Sequence, residues 1–217
     1  MALVFSCAKS SNPEIRTKSL SFFKIITEKA TEECQEAAVE ELLKIAQAGK
    51  AIGPDRKVLY TMFSFLGTSA QVSSVMVKSI PALLAKETNE AALPILASSL
   101  TKHLAFYLRE DFLLPDEVLK LFMAETHNNK PSIRRAFIMV TGDTFWSLGN
   151  LRTTNSIALA RAVFPAFESS LKSVAANPLN AAGGPLEGYI AAAVLLGPFS
   201  RSGVFGISHM SVPFSLF

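Results

Sequence analysis

Three histidines, two cysteines and one isolated aspartate are the side chains in this 217-residue sequence whose types could begin a reaction or hold an ion. A metal site needs several His, Cys, Asp or Glu at short recurring spacings. His103, His127 and His209 have no such companions. In a helical reading His103 lies beside Lys102 on a polar edge and His127 closes a helix. Cys7 and Cys34 are too few for a disulfide framework or a zinc module and read as reduced core thiols. Glu32, Glu33 and Glu36 crowd Cys34, so a thiolate nucleophile there would sit among like charges. Asp143, in Thr141-Gly142-Asp143-Thr144, reads as structural: Gly142 allows a close helix approach and Asp143 can accept from a neighbouring loop amide. Ala182-Gly183-Gly184-Pro185 has no Lys-Ser/Thr after it and cannot cradle a phosphate. The expectation is no catalytic residue, no metal ligand, no cofactor and no enzyme.

Binding chemistry is the remaining possibility. Net charge is +3, too mild to indicate nucleic-acid binding by itself. From Lys130 onward, however, seven basic residues stand against three acidic ones. Lys130, Arg134 and Arg135 are grouped there; Arg16 and Lys18 occupy a similar place early in the chain. Lys50, Arg56 and Lys57 flank a turn. The Phe-rich pairs Phe22-Phe23, Phe63 with Phe65, Phe106-Tyr107 and Phe145-Trp146 fall on or beside apolar stripes and read as core filling.

The elements that must position these residues are helices. Val39, Leu42, Leu43 and Ala46 recur at helical spacing, with Glu36, Glu40, Glu41 and Lys44 opposite. Val118, Leu121 and Phe122 form a second stripe, and Ile133, Ala136, Phe137 and Val140 a third. No segment alternates as a strand does. Asn12-Pro13, Gly53-Pro54, Lys86 to Asn89, Leu114-Pro115 and Asn128 to Ser132 mark the starts and stops. About nine helices of 12–20 residues result. First helices of successive pairs begin near Asn12, Gly53, Thr88, Lys130 and Leu186, at intervals of 41, 35, 42 and 56 residues. A pair recurring at this period is the sign of a HEAT or armadillo solenoid. The fold expected is all-α, a helical-repeat array of antiparallel pairs.

Two first helices open alike: Asn12-Pro13-Glu14-Ile15-Arg16 and Lys130-Pro131-Ser132-Ile133-Arg134. Proline needs no amide partner in a first turn. The isoleucine is expected to point into the stack and the arginine to face the ridge between repeats. That arginine can instead bind neighbouring carbonyls, which leaves Lys18, Lys130 and Arg135 as the freer cations. Pro81 and Pro94 are expected inside helices, kinking them. The longest weakly polar run, Gly188 to Pro198, is too short to span a bilayer. No basic segment precedes the apolar opening residues, so no signal peptide is read there.

The blocks Lys86-Glu87-Thr88-Asn89-Glu90-Ala91-Ala92-Leu93, Asn129 to Phe137 and Ser10 to Leu20 carry a family likeness. Over about residues 8–196 the chain resembles the N-terminal HEAT array of the general-control translational activator, its fungal form in particular. That activator is a very large ribosome-associated protein needed to activate the amino-acid-starvation kinase of initiation factor two alpha. The resemblance implies a non-enzymatic scaffold linked to ribosome contact. The family's kinase-binding and cassette-protein-binding regions are absent from this chain, and no catalytic residue is carried over.

The organisation expected is a repeat array over 1–197 and an irregular tail over 198–217, the product of truncation or mis-splicing. The expected function is ribosome association and promotion of starvation-kinase signalling. The alternative is a generic HEAT adaptor of the transport-receptor or phosphatase-scaffold type. Expected partners are ribosomal RNA or ribosomal proteins and other parts of the same long solenoid, with no membrane, in the cytoplasm. The candidate interaction edge is Arg16, Lys18, Lys130, Arg134 and Arg135.

Overall fold

The computed structural model describes residues 2–48 and 54–176 of the chain. Nine α-helices and no strand occur among them: α1 Ala2–Ala8, α2 Pro13–Lys29, α3 Glu32–Gln47, α4 Pro54–Phe65, α5 Ala70–Lys86, α6 Leu93–Arg109, α7 Asp116–Glu125, α8 Pro131–Leu148 and α9 Thr154–Ala176. The chain divides into two compact units, Met1–Tyr107 and Leu108–Phe217, and the division falls in the last turn of α6. The expected helix from Leu186 and the expected tail, 198–217, lie outside the described residues, as does His209.

The local signals act as the sequence reading has them. Asn12 accepts from the Glu14 amide at 2.9 Å and Ser69 from the Val72 amide at 3.3 Å, each satisfying an orphan amide of a first turn. First helices begin at Pro13, Pro54, Leu93 and Pro131, 41, 39 and 38 residues apart. That is more regular than the turn signals suggested. The difference is Asn89, which accepts from the Ala91 amide at 3.1 Å and caps a turn, so α6 starts at Leu93 and not at Thr88. Pro94 is therefore the second residue of α6, in a first turn where a missing amide forfeits nothing; Pro81 does lie inside α5. Three lengths depart from the expected 12–20 residues: α1 has 7, α7 has 10 and α9 has 23.

Within the first unit α2 packs on α1 and α4, and α3 packs on α4 and α5. Within the second, α7 packs on α8 and α9. Neighbours meet in α1 with α2, α3 with α4 and α7 with α8, and helices next but one meet in α2 with α4, α3 with α5 and α7 with α9. A helical-repeat solenoid builds a continuous core by this register, since one pair alone cannot bury its apolar stripe. The fold is all-α and of that repeat class. The expected stripes form the core: Val39, Leu42 and Leu43 in one unit, Ile133, Ala136, Phe137 and Val140 in the other, all buried. Phe122 of α7 meets Phe137 of α8 edge-on, centroids 5.1 Å apart.

Candidate interaction edge

The two like-sequence helix starts, α2 and α8, are built by the same hydrogen bonds. Arg16 Nη1 donates to the Ser10 carbonyl at 2.6 Å, and Arg134 Nη1 to the Asn128 carbonyl at 2.7 Å. In each case the acceptor lies six residues before the arginine. Arg16 also reaches the Ser11 carbonyl at 3.0 Å. The side chain of the same acceptor residue closes the turn: Ser10 Oγ takes the Asn12 amide at 3.2 Å, and Asn128 Oδ1 takes the Lys130 amide at 2.8 Å. The guanidinium therefore ties the incoming turn to the first turn of its helix. Charge-assisted bonds of this kind are stronger than neutral ones. Neither arginine is an uncommitted member of the edge.

The lysines differ. Lys18 is exposed and pairs with Glu14 across one helical turn at 2.9 Å, a surface pair of small energetic weight. Lys130 is exposed at the N-cap of α8 and caps nothing with its side chain. A cation at that end opposes the helix dipole. Arg135 is half-buried and engaged within the chain, so it leaves the set of freer cations. The five expected residues fall in two units, Arg16 and Lys18 in the first and Lys130, Arg134 and Arg135 in the second.

Ile133 is buried, 1% exposed, but Ile15 is 41% exposed, so only one of the two motif isoleucines enters the stack. Sequence position within the motif is equal; the neighbours are not.

A polar centre that sequence reasoning missed lies in the first unit, at the block Lys86 to Leu93. Glu87 is buried and accepts four bonds. Arg56 Nη1 donates to its Oε1 at 2.7 Å, the Thr88 and Asn89 amides donate at 2.8 and 2.7 Å, and the Tyr60 hydroxyl donates to Oε2. Burial by itself would raise the Glu87 carboxyl; the bonds from Tyr60, the Asn89 amide and Arg56 outweigh it and hold the carboxyl below its usual range. Burial and then the Glu87 bond push the Tyr60 phenol up. The only sequence signal was an acid at a helix end two residues before an asparagine cap. Arg56, expected as a turn-flanking cation, serves this carboxylate.

Further polar ties join the turns. Gln35 Nε2 donates to the Thr27 carbonyl at 3.1 Å, while its Oε1 takes the Gly67 amide at 2.6 Å. A Cβ on Gly67 would come within 2.9 Å of that oxygen. Lys102 Nζ donates to the Leu66 carbonyl at 2.6 Å, and burial lowers its pKa. In the second unit Asp111, at φ 52, accepts the Asn155 amide at 3.0 Å and Nδ2 at 2.9 Å. Those two bonds hold its carboxyl below the usual range.

The residues weighed for chemistry are placed as follows. His103 is fully buried, not on a polar edge; its Nδ1 is 3.0 Å from Ser73 Oγ and its Nε2 has no partner. Burial first, and the Lys102 charge second, push its pKa down to about 3. The stripe of α6 simply passes through 103, with Leu100, Leu104 and Leu108 buried around it. His127 is at a helix end as expected, 3.0 Å from the Met123 carbonyl. Asp143 is exposed and receives no loop amide; partial burial raises its pKa. Cys34 is exposed and Cys7 only part-covered, so neither is a core thiol. Phe22 and Trp146, each 63% exposed, do not fill the core, whereas their neighbours Phe23 and Phe145 do. No group of three or more potential metal ligands occurs among the described residues. No described helix is long and apolar enough to cross a membrane.

No curated protein and no solved structure matches the chain. One family description does: general control nonderepressible 1 (Gcn1) N-terminal, over residues 54–214. That span covers α4 to α9 and most of the chain. It includes the Glu87 centre and the Arg134 helix start, two of the places where the likeness to the general-control activator was read. An all-α repeat whose helix starts carry these ties, matched over that length, belongs to the family of Gcn1 N-terminal regions.

Proposed function

We propose that the chain is a non-enzymatic scaffold segment of the Gcn1 translational activator that associates with ribosomes in the cytoplasm and so promotes starvation-kinase signalling. The observation that carries this reading is the family match over residues 54–214. Two features support a basic contact. Lys130 is an exposed cation at a helix start, where it opposes the dipole and makes no capping bond. Lys18 is exposed, held only by a surface pair. The partner chemistry is polyanionic: ribosomal RNA phosphates or acidic ribosomal protein segments. Arg16 and Arg134 support the fold of the edge and Arg135 lies beside it.

Attraction between exposed lysines and a polyanion falls steeply with salt. The test is co-sedimentation of the full chain with purified ribosomes from about 50 to 200 mM salt, the range over which such contacts weaken. Retention at low salt that declines across this range supports the reading. Absence of co-sedimentation at the lowest salt, with the helical fold intact by circular dichroism, rejects it.

A further inference from the structure

A cavity of about 350 Å³ lies in the first unit, beside the Glu87 centre. Three helices line it. The last turn of α3 brings Gln47, and the first two turns of α4 bring Arg56, Leu59 and Tyr60. On α5, Ser79, Leu83 and Lys86 fall within about 60° of one another at helical spacing, so one face of that helix forms a wall. Leu59 and Tyr60 are buried and make the floor; Gln47 and Lys86 are exposed and stand at the mouth.

The charges of the lining are Arg56, Lys86 and Glu87. Arg56 Nη1 is 2.7 Å from Glu87 Oε1, so these two cancel, and the Tyr60 hydroxyl is spent on the same carboxylate. The Lys86 ammonium, in the last turn of α5, is the charge that remains for a ligand. No hydrogen bond or ion pair joins the side chains of Ser79 or Lys86 to another described residue. A single positive charge matches a monoanion. Ser79 and Lys86 stand seven residues apart, about 10 Å along the helix axis, with Leu83 between them. A ligand that meets both has an anionic end, an apolar middle and a second acceptor. A sugar-phosphate chain would set hydroxyls against Leu59 and Leu83. The end of a peptide chain has the required order: carboxylate, apolar side chain, preceding carbonyl. The volume is at the small end of ligand sites, room for a chain end and not for a folded surface. We propose that this cavity binds the C-terminal end of a peptide whose last residue is apolar, with its carboxylate at Lys86, its side chain over Leu83 and Leu59, and the preceding carbonyl at Ser79.

The test is a nuclear magnetic resonance titration of the full chain with acetyl-Ala-Leu, free at its carboxylate, from about 0.1 to 20 mM, a range that brackets a millimolar constant. The expected result is saturable shifts at the lining amides, among them Leu59, Ser79 and Leu83. The C-terminal amide of the same peptide should bind about tenfold more weakly, having lost the charge-assisted bond. Lys86→Met should bring the acid down to the level of the amide and leave the amide where it is, with circular dichroism unchanged because Lys86 is exposed. Ser79→Ala should weaken both peptides alike. Lys78→Met, on α5 but outside the lining, should change neither. The proposal is overturned by an absence of saturable shifts at the lining, or by acid and amide that bind equally. It is overturned too if 4-methylpentanoate binds as tightly as the peptide, or inorganic phosphate more tightly.

Discussion

Helices α2 and α8 open with the same x-Pro-x-Ile-Arg sequence, and the comparison separates what a short sequence determines from what its surroundings determine. The arginine bond to a carbonyl six residues back, at 2.6 Å in one and 2.7 Å in the other, is set locally. Proline fixes the first turn, the preceding polar side chain closes it, and the guanidinium reaches back to the carbonyls of that turn. The isoleucine fate is set by tertiary neighbours. Ile133 is covered on all sides, and Ile15 keeps 41% of its surface in water. The caps differ too: Asn12 supplies a side-chain acceptor, and Lys130 supplies none.

The largest expected effect follows from the isoleucines. Ile133→Ala should destabilise its unit by about 3 kcal/mol, transfer term plus cavity. Ile15→Ala should cost under about 1 kcal/mol, because much of that surface already faces water. Chemical denaturation followed by circular dichroism measures both. Similar losses at the two sites would mean that Ile15 is covered in solution.

Acid should distinguish the two units next. The first unit holds a buried neutral imidazole, and among the described residues of the second the carboxylates Asp111 and Asp143 are exposed. The His103 pKa lies at about 3 in the folded chain, against 6.5 for an ordinary imidazole. As pH falls below 6.5 the unfolded state takes up a proton that the folded state refuses, so stability drops between pH 6.5 and 3. By pH 5 the loss is about 2 kcal/mol. Glu87 adds to it at lower pH: its carboxyl is held below the ordinary value, so its stabilisation is present above that value and lost as pH falls through the lowered one. Trp146 is the sole tryptophan and lies in the second unit, so its fluorescence should change after helicity does in an acid titration. His103→Gln should remove most of the loss between pH 7 and 5. An unchanged acid profile in that variant would show that the imidazole is not the group responsible.

Smaller effects sharpen the comparison at the helix starts. Arg16→Ala and Arg134→Ala should each cost about 1 kcal/mol, the loss of the bond that ties the turn to the helix. Lys130→Asn should do the reverse and stabilise α8 by about 1 kcal/mol, giving it the acceptor that Asn12 already provides to α2. A thermal melt in which Lys130→Asn is destabilising would show that the lysine has a structural role not seen in its bonds.

Sequence alone reached the class of fold because helix signals are local. Asn12, Pro13, Pro131 and the Ile133 to Val140 stripe all act within one or two turns, and the repeat period is read by counting such signals along the chain. It missed the buried Glu87 and His103 because their surroundings come from other helices: Arg56 and Tyr60 lie on α4, and Ser73 on α5. A helical wheel places a polar residue on a stripe without saying what waits for it there. The same limit explains Phe22 and Trp146, whose stripes are apolar and whose neighbours leave them open. The arginines of the candidate edge were half legible. Their alternative use, carbonyl binding, was readable from the motif; that both take it required the geometry.

The proposed function assigns the helix-start arginines to holding the turn and the lysines to a polyanionic partner. Its most direct test compares two pairs of full-chain variants in ribosome co-sedimentation at low salt, with denaturation midpoints measured alongside. Arg16→Gln with Arg134→Gln should lower the midpoint and leave binding per folded molecule unchanged. Lys18→Glu with Lys130→Glu should leave the fold intact and release the chain from ribosomes. Binding that survives the lysine reversal, or that is lost in the arginine variants while they remain folded, would contradict it.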